Sequence, residues 1–176
     1  GEIYEFRQGL TERGLQYVVR VPSNTVVWRP GEGPIHPSER PKTKLGQPPT
    51  RYVDGDASPV SVGALARELG ARGASSITWA EGTKGPRTSM FGVVRIRTAH
   101  RHSAGHAPGT EEWMLYEWID GDEPRTWLAT VPADTPVKDL VRLAKLRWRI
   151  ERDYQEMKNE CGLDHYEGRT WRGFHH

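Results

Sequence analysis

Residues 136–162, PVKDLVRLAKLRWRIERDYQEMKNECG, are the longest periodic stretch of the chain, and their reading decides the fold. Leu143, Leu146, Ile150, Tyr154, Met157 and Cys161 recur in steps of three and four, the spacing of one side of an α-helix. Asp134 or Thr135 stands where an N-cap belongs, Pro136 suits the first turn and Gly162 stops the pattern. The sequence therefore predicts a helix over 136–159 with one packed side and one decorated side. At about 100° per residue, Arg147, Glu151 and Lys158 fall within roughly 40° of one another, beside the apolar stripe. By itself this seam reads first as an i,i+4 ion pair on a helix flank. The other reading is a carboxylate that faces a cleft between cations able to hold phosphates.

Outward from this helix, strand patterns occupy Ser76 to Ala80, Ser89 to Thr98, Glu112 to Ile119 and Trp127 to Val131. The turn-like EGTKGPR and DGDEPR separate them, which predicts a small, mostly antiparallel sheet. Trp79, Trp113, Trp118 and Trp127 lie in these strands, where core packing is the first expectation. Val60 to Leu69 reads as a short helix with Val62, Leu65, Ala66 and Leu69 on its apolar side. Pro30 to Pro59 is proline-rich and long for a loop in a compact domain. At the front, Tyr4 to Arg13 is expected to be helical, with Phe6 and Leu10 on one side and Gly14 as the C-cap glycine. The run YVVRV, 17–21, then reads as a largely buried strand of an α/β layer.

The formal charge of +2 is too small to argue for nucleic acid. Local charge is more telling, because Lys138 to Lys158 holds seven Lys or Arg against four Asp or Glu, either a phosphate-binding face or a solvated one. No apolar run is long enough to span a membrane and no leader pattern opens the chain, so the expected location is cytoplasmic. The single Cys161 excludes an internal disulfide framework and continues the helical stripe as a core residue. His100, His102 and His106 lie in a loop with no Asp, Glu or Cys before Glu111, a poor donor set for zinc.

The run LRWRIERDYQEMK, Leu146 to Lys158, resembles the signature of the insertion-sequence four-like branch of DDE transposases: Arg, three residues, Glu, six residues, Lys. The tyrosine that usually opens that pattern is replaced here by Ala144. LDHYEGRTWRGFHH at the end is similar to actinobacterial-type members of the group, and EFRQGLTERGLQYVVRV to the helix and strand that follow the second catalytic aspartate. The resemblance implies that Glu151 is the third carboxylate of a metal-binding triad, with Arg147 and Lys158 on the DNA backbone; Arg149, Arg152 and Arg172 join them as expected DNA contacts. It further implies Mg²⁺ or Mn²⁺ in the complete enzyme, transposon-end DNA as partner and a homodimer.

The fold expected is α/β: a partial RNase H-like core with a β-rich insertion between the last core strand and the glutamate-bearing helix. Residues 1–22 would end the core, 23–131 form the insertion, and 132–176 carry the glutamate helix and tail. Two-metal strand cleavage needs several convergent carboxylates. The resemblance places both aspartates upstream of Gly1, so the chain is expected to be a fragment, inactive alone and without a stably bound metal. Asp54, Asp56, Asp120, Asp122 and Asp153 make no convincing substitutes, lying in loops, in a turn, or on another side of the helix. Two further readings stand beside this one: a non-enzymatic DNA-binding transposase remnant, and a protein-interaction domain.

Overall fold

The computed structural model describes residues 2–39, 50–82 and 85–160. Its elements in chain order are α1 (Glu2–Glu12), β1 (Val18–Val21), β2 (Val26–Trp28), β3 (Val60–Ser61), α2 (Val62–Leu69), β4 (Ser75–Gly82), β5 (Gly85–Thr98), β6 (Glu111–Trp118), β7 (Arg125–Ala129) and α3 (Val137–Glu160). The chain divides into two compact units, 1–144 and 145–176.

The first unit is built on one antiparallel sheet with strand order β1-β7-β6-β5-β2-β3, β4 also pairing with β5. β5 organises it because its 14 residues are long enough to serve three partners. One edge takes β4 along Gly85 to Phe91 and β2 at Arg97 and Thr98, while the other takes β6 from Met90 to Arg97. Successive residues point to opposite faces, so Met114, Tyr116 and Leu128 enter one core while Leu115, Trp127 and Ala129 enter another. α2 covers the first face with Val62, Leu65 and Ala66, and the opening turns of α3 cover the second with Leu140 and Val141. Ser61 caps α2, its Oγ accepting from the Ala64 amide at 3.2 Å.

Tyr116 shows how closely the first face is packed. Its hydroxyl donates to the Gly70 carbonyl at 3.0 Å, at the end of α2. The ring crosses the sheet directly over its register partner Gly92, where any Cβ would overlap it. Burial raises the phenol's pKa above its ordinary value.

The three helices and β1, β4, β5, β6 and β7 lie close to where the sequence predicts them, β2 and β3 fall where it predicts no strand, and three expectations of burial are corrected. β1 is an edge strand rather than a largely buried layer strand: among the described residues it pairs with β7 alone, and only Val21 of its four residues is buried. On α1, Phe6 is 58% exposed and the inward residue is Arg7, because a charged partner waits for it across the sheet. In α3 the apolar stripe is not packed. Leu143, Leu146, Ile150, Tyr154 and Met157 are all exposed, and the second unit's described residues comprise a single helix, which cannot cover its own side. Cys161 and the Gly162 stop lie outside the described residues.

β1, within residues 1–22, and β7, within residues 23–131, share four register pairs in one sheet. The tryptophans behave as core and half-core residues: Trp127 is 6% exposed, and Trp79, Trp113 and Trp118 lie half-buried against the two cores.

Candidate functional site

Glu151 lies on α3 with its side chain exposed, and Lys158 is two turns further along the same helix. Seven residues at about 1.5 Å each separate the two by roughly 10 Å along the axis, on nearly one side of the helix. The Lys158 ammonium sits 4.9 Å from the centre of the Tyr154 ring, a cation–π contact that steadies a long side chain without neutralising it. Arg147, Arg149 and Arg152 belong to the same helix, and Arg172 lies outside the described residues. The helix is rich in Lys and Arg and carries exposed carboxylates at Asp139, Glu151 and Glu156, a composition that can meet a phosphodiester backbone through its cations.

Two metal ions at a phosphodiester demand convergent carboxylates. Among the described residues no three His, Cys, Asp or Glu side chains gather closely enough to hold an ion. The described donors of this chain therefore do not by themselves fit a divalent-metal pair. Asp54, Asp56, Asp120 and Asp122 are all exposed in loops and a turn. The loop histidines are engaged otherwise: His100 stacks on Tyr4 at 3.5 Å between ring centres, and His102 Nδ1–H donates to the Ala99 carbonyl at 3.1 Å.

Sequence reading missed a buried polar cluster that joins α1, β6 and the start of β1. Arg7 Nη2 donates to Glu112 Oε1 at 2.6 Å, Arg7 Nε donates to the Tyr17 hydroxyl at 3.1 Å, and that hydroxyl donates to Glu112 Oε2 at 2.9 Å. Burial pushes the Glu112 carboxyl above its ordinary range, with the Arg7 charge working against it. Burial and the neighbouring Glu112 charge likewise raise the Tyr17 phenol. A helical Arg and a strand Glu separated by 105 residues leave no local trace; only their odd places in apolar patterns could have raised the question.

Arg7 also lines a cavity of about 700 Å³ formed by α1, the β1–β2 turn and the loop that follows β5. The Trp28 indole N–H, fully buried near His102, has no hydrogen-bond partner among the described residues.

Residues 1–86 match the family described as DDE superfamily endonuclease. The matched segment runs from α1 through β4 and stops before the helix that carries Glu151. This likeness supports a nuclease of the DDE type, acting on DNA by strand cleavage. No curated protein and no solved structure matches the chain. Among the described residues no helix is long and apolar enough to cross a membrane.

Proposed function

We propose that this chain is the C-terminal part of the catalytic domain of a DDE transposase of the insertion-sequence four-like branch, and that Glu151 is its third acidic residue. The observation that carries the reading is the agreement of two separate segments. Residues 1–86 match DDE endonucleases, and α3, outside that match, presents an exposed Glu151 in the Arg-x₃-Glu-x₆-Lys spacing. Arg147, Arg149, Arg152, Lys158 and Arg172 hold the DNA backbone beside it. The two aspartates are supplied by preceding polypeptide, with residues 1–22 closing the RNase H-like core and 23–131 inserted before the glutamate helix. The reaction is metal-dependent cleavage of transposon-end DNA followed by strand transfer, by a cytoplasmic homodimer.

In the polypeptide extended upstream to include both aspartates, Glu151→Gln should abolish Mg²⁺- or Mn²⁺-dependent cleavage of end-containing DNA while folding and DNA binding persist. The 176-residue chain alone should bind duplex DNA weakly, with an affinity that falls steeply with salt, and should not cleave it. Lys158→Ala should lower the slope of log affinity against log salt by about one. Retained cleavage by the extended Glu151→Gln protein refutes the site; cleavage by the 176-residue chain refutes the need for upstream residues. Salt-sensitive binding with no cleavage by the extended protein favours the DNA-binding remnant.

A further inference from the structure

The cavity beside α1 is unused by the reading above, and its lining has a definite chemical character. Arg7, His100, Arg101 and His102 line it, and among the described residues no Asp or Glu does, the nearest influence of that sign on His100 being Glu5 of α1. Neutral donors complete the wall, among them Asn24 and Ser103. Glu112 balances Arg7 from behind the wall, whereas Arg101 is exposed and has no described ion-pair partner. His102 spends Nδ1–H on the Ala99 carbonyl, which leaves Nε2 as the ring nitrogen open to a ligand.

The backbone gives an independent sign. Arg101 is the one non-glycine residue with positive φ among the described residues, at φ 54 and ψ 30. A branched or long side chain there costs on the order of 1 kcal/mol or more relative to Gly or Asn, and such outliers gather where a side chain must be aimed. The conformation belongs to a turn that directs four consecutive residues, His100 to Ser103, at the same cavity. A volume near 700 Å³ far exceeds one inorganic anion and falls in the range of small-ligand sites. Pro22, Val26 and Ala99 add apolar wall, and the Tyr4–His100 stack adds flat aromatic surface.

We propose that this cavity is a nucleotide site, in which Arg101 and His102 hold the phosphate and the apolar and aromatic wall receives the nucleoside. It stands on the cavity's own lining and does not depend on Glu151. The same chemistry is offered by a free nucleoside monophosphate and by the phosphorylated end of a single strand.

Calorimetric titration of the 176-residue chain at low salt, with deoxyadenosine 5′-monophosphate as the probe, tests this. The monophosphate should bind at least about tenfold more tightly than deoxyadenosine, the worth of one or two charge-assisted hydrogen bonds. Arg101→Asn removes the cation yet suits the left-handed backbone, and should weaken the monophosphate by about tenfold or more while circular dichroism stays unchanged. Asn24→Asp, which sets a negative charge on the wall, should also weaken it. A 5′-phosphorylated oligonucleotide that binds more tightly than the monophosphate, with the same Arg101 dependence, identifies a strand end as the occupant; weaker binding identifies the free nucleotide. Equal affinity for deoxyadenosine and its monophosphate, no binding of either, or an Arg101→Asn protein that binds as well as the parent overturns the proposal. None of these outcomes bears on strand cleavage, which reads out Glu151 separately.

Discussion

Removal of Arg7 and neutralisation of Glu112 should have unequal effects on stability, although the two residues form one ion pair. The pair is buried, with side chains 7% and 4% exposed and a 2.6 Å contact. Glu112 loses more from leaving water than it regains from Arg7, since burial is the leading cause of its raised pKa. Arg7→Met therefore leaves a buried carboxylate supported only by the Tyr17 hydroxyl and the Arg95 charge, a loss of about 3–5 kcal/mol for a broken buried pair. For a chain of this length each kcal/mol moves Tm by about 2–4 °C, so the expected drop is about 6–20 °C. Glu112→Gln removes the charge that burial opposes and keeps an oxygen for Arg7, but it leaves the buried guanidinium without its counter-charge; its cost should be about 1–3 kcal/mol, below that of Arg7→Met. In the double variant Arg7→Met, Glu112→Gln, most of the Arg7→Met loss should be recovered.

The pH dependence follows from the same shift. Glu112 has a folded pKa above its ordinary 4.5, so between those two values the folded chain holds a proton that the unfolded chain has released. Its contribution to stability is full below about the ordinary value and is lost as pH rises through the folded value. Without Arg7 the folded pKa rises further, so the deficit of Arg7→Met should be largest near pH 7 and shrink as pH falls toward 5. Thermal melts of the parent, both single variants and the double variant across pH 5–7.5 measure this. A Glu112→Gln protein less stable than Arg7→Met, or an Arg7→Met deficit that does not narrow on acidification, would refute the argument from desolvation.

Two further substitutions probe the faces of the sheet. Gly92→Ala should destabilise by about 1–3 kcal/mol, because the new methyl meets the Tyr116 ring and Tyr116 is held at its far end by Gly70; a chemical denaturation midpoint indistinguishable from the parent's would show that the ring can move aside. Leu140→Ala, at a residue only 1% exposed beneath the other face, should cost about 2–5 kcal/mol in the same assay, and a cost under about 1 kcal/mol would mean that the opening of α3 is not anchored as described.

Elements whose information is local were legible in the sequence. β5, β6 and β7 follow from β-rich composition between turns, α2 from Val62, Leu65, Ala66 and Leu69, and the end of α1 from Gly14, which adopts φ 66. What depends on distant partners was not. Nothing near Arg7 announces Glu112, and nothing near Val26–Trp28 announces that this short strand joins β5 to β3 and places Trp28 in full burial. The α3 stripe failed for the same reason, since periodicity states which side of a helix wants a partner and not whether one is present. The spacing of Glu151 to Arg147 and Lys158 reads by itself as a helix-flank ion pair, and only the resemblance gives that glutamate a proposed role. The carboxylates that would have to converge on it cannot be read from a helix alone.

The sheet gives the stretch between the two informative segments a mechanical role. β1 lies within the part that matches DDE endonucleases, and it is hydrogen-bonded along its length to β7, with five strands between them in the chain. Val18 of β1 then packs in the same apolar cluster as Leu115 of β6, Trp127 of β7, and Leu140, Val141 and Ala144 of α3. The first two turns of the glutamate helix are thus fixed against the strand at the front of the chain by residues from β6 and β7. An antiparallel sheet that clamps both β1 and the opening turns of α3 fixes where that helix starts, and it does so through the apolar contacts of Val137, Leu140, Val141 and Ala144.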